Sequence, residues 1–387
     1  MPPIYQVFDI RTDIRPTVAE IDLGALRRNA DVLRAAIQNE QTGLVAVLKA
    51  DAYGHGAVAC AHALHQKTWG FAVSLVEEGV ELRRAGLMQP ILTLGCYYGD
   101  SHRDVVAYKL TPVVGEARDL ARFSRAATEL KVSRLGVHLK VDTGMSRLGL
   151  RDGQIDDFLT ALSQHPNLSL SGLCSHLHDA DGPDEKPTMQ QLGRLAAAVS
   201  QLQKKGLPPG VIHVANTAAA MRFAPARFDL VRAGIGLFGF SPQHTPPCAP
   251  WPVMTLRTRI VALRTVSAGE TVSYGGRSRL GKNTLCATLP VGYADGYTRR
   301  MSERAQVLCG GRRCKVFPPI TMDMTMVDVS ACPNVQVGDE VVLLGAQTGP
   351  EGQTDRISLQ EMADWAQTIP WEVCTVISKR VPRVYVE

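Results

Sequence analysis

With 387 residues, 45% of them hydrophobic and 20% charged, the chain is long enough for two buried cores and has the composition of a soluble globular protein. A formal net charge of +5, with no long basic run and no apolar run able to span a bilayer, argues against nucleic acid and membrane as partners. Nine cysteines, an odd number without a Cys-x-x-Cys pair, argue against a disulfide framework and read as small buried hydrophobes.

The start, Met1-Pro2-Pro3-Ile4-Tyr5-Gln6-Val7-Phe8-Asp9-Ile10, lacks a charged segment followed by an apolar one, so a cytoplasmic protein is expected. From about residue 17 to 240, short apolar runs alternate with longer stretches of helical period, the signature of repeated βα units. Strands are expected at residues 45–48, 70–74, 91–94, 110–113, 136–141, 168–175, 211–215 and 229–233. Helices are expected at 26–37, 76–85, 117–130, 155–163 and 192–204, with Gly86 and the Gly206, Pro208-Pro209 cluster ending two of them. Eight strands are what a closed (β/α)8 TIM barrel needs, which makes the fold class α/β and the first domain residues 17–245.

The proline-dense stretch 241–250 reads as a linker. Beyond it, residues 253–264, 284–290, 306–309, 314–316, 324–329 and 340–344 look like short strands between glycine-bearing turns, with a helix near 359–365. Residues 246–387 are therefore expected to form a mainly β C-terminal domain.

In such a barrel the chemistry sits at the C-terminal strand ends, with a phosphate site after the last two strands. Lys49 ends the first expected strand, Arg147 follows the fifth, His176 ends the sixth, Asn216-Thr217 follow the seventh, and Arg232-Ala233-Gly234-Ile235 end the eighth. A lysine leaving a strand buried on both faces enters a pocket where desolvation lowers its pKa. Its neutral amine can then form a Schiff base with an aldehyde such as pyridoxal 5'-phosphate. Tyr53, Gly54 and Gly56 suit a phosphate-bearing ligand. Read alone, a strand-end lysine is most often solvated and a strand-end arginine most often sits in a surface ion pair.

The run Ala46-Val47-Leu48-Lys49-Ala50-Asp51-Ala52-Tyr53-Gly54-His55-Gly56 changes that balance, because it resembles the cofactor attachment segment of alanine racemases nearly letter for letter. The string from His138 through Lys140, Val141 and Asp142 to Arg147 and Gly149 resembles the same family, as do Ser175-His176, His213-Val214-Ala215-Asn216-Thr217 and Val231-Arg232-Ala233-Gly234-Ile235. In the second domain Val272-Ser273-Tyr274-Gly275, Pro290-Val291-Gly292-Tyr293-Ala294-Asp295-Gly296-Tyr297 and Thr321-Met322-Asp323 continue the resemblance, which runs from about residue 17 to 383.

The resemblance implies a pyridoxal-phosphate-dependent alanine racemase with two bases, supplying D-alanine of the kind used in peptidoglycan. Lys49 would hold the cofactor and serve one face of the substrate α-carbon. Tyr274, from the β domain of a second subunit, would serve the other, so a homodimer is implied. Arg232 would face the pyridine nitrogen, and His176 would orient Arg232 or Tyr274. Tyr53, Thr217, Gly234 and Ile235 would hold the phosphate, with Asn216 supporting them. Arg147 and the Met322 amide would meet the substrate carboxylate. Lys140 matches a lysine carbamylated in members of the family, and Tyr293 and Lys379 fall at the entrance.

Three positions depart from the family pattern: Thr217 where serine is usual, Phe238 where tyrosine is common, and Lys379 where most relatives have a tyrosine lining the entrance. Lys379 exchanges a rigid aromatic wall for a flexible cation, which predicts tolerance of side chains larger or more polar than methyl, serine first. A serine or broad-specificity racemase is thus the alternative. A decarboxylase of related fold conflicts with Arg232, and a non-catalytic cofactor carrier conflicts with Tyr274 and a full β domain. The run His176-Leu177-His178-Asp179, with Asp181, looks like a metal cluster but lacks a second ligand group, so no metal is expected. Glu77-Glu78 and Asp156-Asp157 read as solvated helix faces.

Overall fold

The computed structural model describes residues 15–151, 153–245 and 250–387, so residues 246–249 of the expected linker and the N-terminal stretch read for a leader lie outside it. Two compact units result, Leu23–Trp251 in one, residues 15–22 with Pro252–Glu387 in the other. Strand β1 (Val18–Asp22) belongs to the second unit, where it runs antiparallel to the strand at Met254–Arg259 and parallel to that at Arg383–Val386. The barrel unit therefore begins at Leu23, not at residue 17.

In that unit, β2 (Gly43–Val47), β3 (Gly70–Val73), β4 (Ile91–Thr93), β5 (Thr111–Val114), β6 (Leu135–Lys140), β7 (Leu168–Cys174), β8 (Val211–His213) and β9 (Leu230–Ala233) form a closed parallel barrel in chain order. These are the eight expected strands, with ends moved by a few residues. Leu44, Val45 and Ala46 are fully buried, as continuous apolar runs in parallel sheets must be. Closure pairs β2 with β9, setting Val45 opposite Arg232 and Ala46 opposite Ala233, which brings the residues after both strands to one rim.

The helix Leu23–Ile37 buries Leu26, Ala30, Leu33 and Ile37 on one stripe, each large side chain contributing about 1.5–3 kcal/mol of burial. The helix expected at 192–204 starts earlier, at Lys186, because a proline stands in its first turn where no amide donor is needed.

The second unit is built on a sheet of β10 (Met254–Arg259), β11 (Ala262–Val266), β14 (Thr284–Leu289), β15 (Gln306–Cys309), β16 (Arg312–Phe317), β17 (Thr325–Asp328), β18 (Glu340–Thr348) and β20 (Arg383–Val386) together with β1. Its order is β11-β14-β17-β16-β15-β18-β10-β1-β20; β19 (Thr354–Ile357) pairs with β18, and β12 (Thr271–Val272) with β13 (Ser278–Arg279) as a separate hairpin. The single strand expected at 253–264 is broken. At Ile260 the amide bonds Asp339 O and at Val261 it bonds Thr288 O, so the chain there passes from one neighbour to another.

Candidate active site

Lys49 leaves β2 into a turn of unusual hand. Ala50, Asp51, Ala52 and Tyr53 all have φ between 52° and 54°, one turn of left-handed helix that costs non-glycine residues about 1–2 kcal/mol each. Neighbouring groups hold it in place. Glu78 Oε1 accepts from Ala50 N at 2.6 Å, Asp51 Oδ1 accepts from Ala57 N at 2.7 Å, and His55 Nδ1 donates to Tyr53 O at 2.9 Å. Lys49 is half-buried, and burial lowers the pKa of its amine. The Arg147 and Arg232 guanidiniums lower it further, against the opposing carboxylate of Glu78.

Arg232, 4% exposed, is the most heavily bonded side chain of the rim. Its Nη1 donates to His213 Nδ1 at 2.7 Å and His213 O at 3.0 Å. Its Nη2 faces Ser175 O at 2.8 Å, His176 Nδ1 at 3.1 Å and Val214 O at 3.2 Å. Among the described residues nothing accepts from Nε–H. Behind it, His213 Nε2 lies 2.9 Å from His138 Nδ1. Burial, and then the Arg232 charge, push His138 down to about 4 and hold His176 and His213 well below the ordinary histidine range, so all three rings are neutral.

After β8, which is separated from β2 by β9 alone, the short helix Thr217–Arg222 is capped by Asn216, whose Oδ1 accepts from Ala219 N at 3.0 Å. Thr217 Oγ1 accepts from Gly234 N at 3.1 Å and is 3.5 Å from Gly236 N. A Cβ on Gly234 would come within 2.4 Å of Tyr53 Oη, so the tyrosine hydroxyl rests directly over bare backbone. Two hydroxyls and the helix-opening amides at Thr217 and Ile235 thus gather into one cradle with the donor chemistry of a phosphate site. Phe238 is fully buried with its ring 5.3 Å from Tyr53 and 4.5 Å from His55, a setting in which it packs without a hydroxyl.

After β6, Asp142 Oδ1 accepts from the amides of Gly144, Met145 and Ser146 at 2.9–3.0 Å, shaping the loop that carries the exposed Arg147. Although burial pushes the Asp142 carboxyl up, these amides and Arg151 hold it below the usual range. Lys140 is 9% exposed and, among the described residues, its Nζ has no hydrogen bond or ion pair. Burial, with Arg232 and Arg147 behind it, lowers its pKa, while Cys174 and Asp142 oppose. Lys140, Arg147, Asp142 and Arg118 line a cavity of about 480 Å³.

In the second unit, Tyr274, Tyr293 and Met322 line a cavity of about 390 Å³ together with Arg299 and Thr321. Tyr274 is 72% exposed, and its turn is tied down by Ser273 Oγ donating to Pro319 O at 2.8 Å. Met322 O accepts from Ala294 N at 3.1 Å, while nothing among the described residues accepts from Met322 N. Lys379 is exposed on a turn whose Ser378 N bonds Asp295 O at 3.0 Å and whose Arg380 bonds Asp323 at 2.8 Å, so its backbone shares a frame with Tyr293 and Met322.

Residues 21–242 match the family model for the alanine racemase N-terminal domain, and residues 253–385 match that for the C-terminal domain. The chain belongs to the alanine racemase family. It is 43% identical to an alanine racemase of Sorangium cellulosum over 97% of this chain and 100% of that one. Among solved structures, an alanine racemase of Clostridium difficile 630 superposes with a TM-score of 0.89 at 33% identity, covering 96% of each chain. One from Bacillus anthracis, with bound L-Ala-P, gives 0.88 at 30% identity over 96% of this chain and 95% of that one.

Within the alanine racemase barrel, the rim thus assembles Lys49, Tyr53, Lys140, Arg147, His176, Asn216, Thr217, Arg232, Gly234 and Ile235, while Tyr274, Tyr293, Met322 and Lys379 lie in the other unit. Several supporting residues have no role assigned by the strings, although His138 and His213 open two of them. His138 and His213 back Arg232; their signal is a polar residue set into an otherwise apolar strand. Gln191, from a helix, donates to His176 O at 3.0 Å and Thr143 Oγ1 at 3.2 Å and accepts from His178 N at 3.0 Å. Glu78, expected on a solvated face, instead accepts from Ala50, Ser74 and Leu75 amides. Glu77, Asp156 and Asp157 are exposed, as expected of solvated faces. In the His176-Leu177-His178-Asp179 run the His176 lone pair faces Arg232, and no group of three metal-ligating side chains occurs among the described residues.

Proposed function

We propose that this chain interconverts L- and D-alanine using pyridoxal 5'-phosphate. The observation that carries the reading is Lys49: a half-buried amine of lowered pKa at the barrel rim, four residues before Tyr53 and in the field of Arg147 and Arg232. The donor set fits that cofactor. Lys49 supplies the amine and Arg232 Nε–H a donor for a ring nitrogen. Tyr53, Thr217 and the Gly234 and Ile235 backbone supply the phosphate cradle, supported by Asn216. Bound there, pyridoxal phosphate supplies the conjugated ring that takes up the electron pair left on the substrate α-carbon.

The rest falls to the chain's own groups. Racemisation needs a proton removed on one face of the α-carbon and returned on the other, which one fixed base does poorly. Lys49 Nζ acts on one face and Tyr274 Oη, from a second copy of the chain, on the other. The catalytic unit is then a homodimer; an exposed Tyr274 beside a free Met322 amide supports this. Arg232 donates without surrendering a proton, since a guanidinium is practically never deprotonated, and His176 orients it. Arg147 and the Met322 amide hold the substrate carboxylate. The buried Lys140, ringed by the charges of Arg147 and Arg232, supports a carbamate there, an anion that would pair with Arg147. An intact mass taken gently at neutral pH that lacks the added carbon dioxide would overturn that part.

No described helix is long and apolar enough to cross a membrane; we place the enzyme in the cytoplasm, making D-alanine for peptidoglycan. The test is chiral chromatography of the cofactor-loaded protein incubated separately with L-alanine, L-serine and larger L-amino acids. Dominant D-alanine supports the reading, equal or faster formation of D-serine shifts it to a broad racemase, and absence of turnover beside a cofactor absorbance band makes the chain a carrier.

A further inference from the structure

Cys309 and Cys314 occupy the two strands of one hairpin. The register sets Cys309 opposite Arg312 and Cys314 opposite Val307, so the two thiols stand diagonally on a single face. Cys332 arrives from the turn after β17, where its amide bonds Val329 O at 2.9 Å. Its Sγ lies 3.3 Å from Cys314 Sγ and 3.4 Å from Cys309 O. All three are buried, at 2%, 2% and 8% exposure for Cys309, Cys314 and Cys332, leaving Cys332 the most accessible.

We propose that Cys314 and Cys332 form a redox-active thiol pair that closes to a disulfide on exposure to a peroxide. Their sulfurs need approach by only about 1.3 Å to reach bonding distance. Cys332 is in a turn rather than a ladder, so a local shift of that turn closes the gap without breaking strand pairing. Cys332, the most exposed of the three, is the thiol an entering peroxide meets first, and the nearby Arg312 guanidinium favours its thiolate.

The chemistry balances with hydrogen peroxide as oxidant. Cys332 thiolate attacks one peroxide oxygen and the O–O bond breaks. The other oxygen leaves as hydroxide and takes up the proton that Cys332 gave up, leaving a sulfenic acid. Cys314 sulfur then attacks the Cys332 sulfur; the S–O bond breaks, and the departing oxygen takes the Cys314 thiol proton to leave as water. Two thiols lose two electrons and two protons, and one peroxide becomes two waters.

The bond would close the loop from residue 314 to 332, which contains the Thr321-Met322-Asp323 turn. Its effect on catalysis rests on the function proposed above, whereas its formation does not. The test is therefore a mass measurement. The full chain carrying Cys96→Ser, which removes an exposed thiol, is treated with hydrogen peroxide, alkylated in denaturant and digested. The expected result is a Cys314–Cys332 cross-linked peptide, with six of the eight remaining cysteines alkylated and all eight after dithiothreitol. Adding Cys309→Ser and Cys314→Ser should trap Cys332 as a sulfenic acid, read as a dimedone adduct on that residue. Alkylation of all eight thiols after peroxide, or a cross-link mapped to another pair, would overturn the proposal; both are read on the Cys96→Ser chain and depend neither on racemase activity nor on the folding of the triple variant.

Discussion

Arg232 Nη1 lies 2.7 Å from His213 Nδ1, and because a guanidinium can only donate, the proton of that imidazole must be on Nε2. His213 Nε2–H then donates across 2.9 Å to His138 Nδ1, which puts the His138 proton on its own Nε2. One buried cation thereby fixes the tautomers of two rings in series. By the same logic His176, accepting from Nη2 on Nδ1, presents Nε2–H as a donor.

Arg232→Lys keeps the charge but loses the fork. An ammonium cannot reach His213 and His176 together, so at least one buried acceptor is abandoned at a cost of about 2–3 kcal/mol. Calorimetry should show a melting temperature several degrees lower, and an unchanged transition would contradict the arrangement.

The neutral histidines make the fold acid-sensitive. His138 has a folded pKa of about 4 against 6.5 when exposed, so between those values the unfolded chain binds the proton that the folded chain refuses. Stability from this ring is complete above about pH 6.5 and declines as pH falls, by about 3 kcal/mol once pH is below 4. His176 and His213 act in the same direction. Urea unfolding across pH 7 to 4 should therefore show a steeper acid limb in the parent than in His138→Gln, whose amide oxygen still accepts from His213.

Gly234→Ala puts a methyl where Tyr53 Oη rests, at 2.4 Å. Tyr53 must withdraw from the cradle, and cofactor affinity should fall about tenfold or more with the loss of one charge-assisted hydrogen bond. Spectroscopic titration with pyridoxal phosphate measures this directly; equal affinity would mean that Tyr53 holds no phosphate.

On the proposed reading, in which Lys379 lies at the entrance, Lys379→Tyr supplies an aromatic wall there and should raise the ratio of kcat/KM for alanine over serine by about tenfold, the scale on which pockets sort small side chains. A substrate panel that leaves the ratio where it was would show that the entrance does not select.

The barrel was legible because its strands are unbroken apolar runs, and its candidate site because the chemistry-bearing residues cluster in short strings at their ends. Other features leave no such mark. The left-handed turn at Ala50–Tyr53 contains no glycine to announce it, and the residues that stabilise it, such as Glu78, are remote in sequence and look like ordinary helix-face carboxylates. Gln191 is likewise one polar residue among several on its helix until the fold points it at His176. Strand β1 leaves no mark in the sequence because its five residues gain strand structure only from partners supplied more than 200 positions later.

That last pairing has a kinetic side. Ala19 stands opposite Leu256 on one edge and Arg383 on the other, so the sheet that holds it cannot be completed until nearly the whole chain has left the ribosome. The barrel, encoded between those partners, is free to fold first. Sheet closure, with loops of such length to organise, is then expected to be the slow step of maturation. Nascent chains stalled before residue 383 should have a finished barrel and an N-terminal strand still waiting for its neighbour.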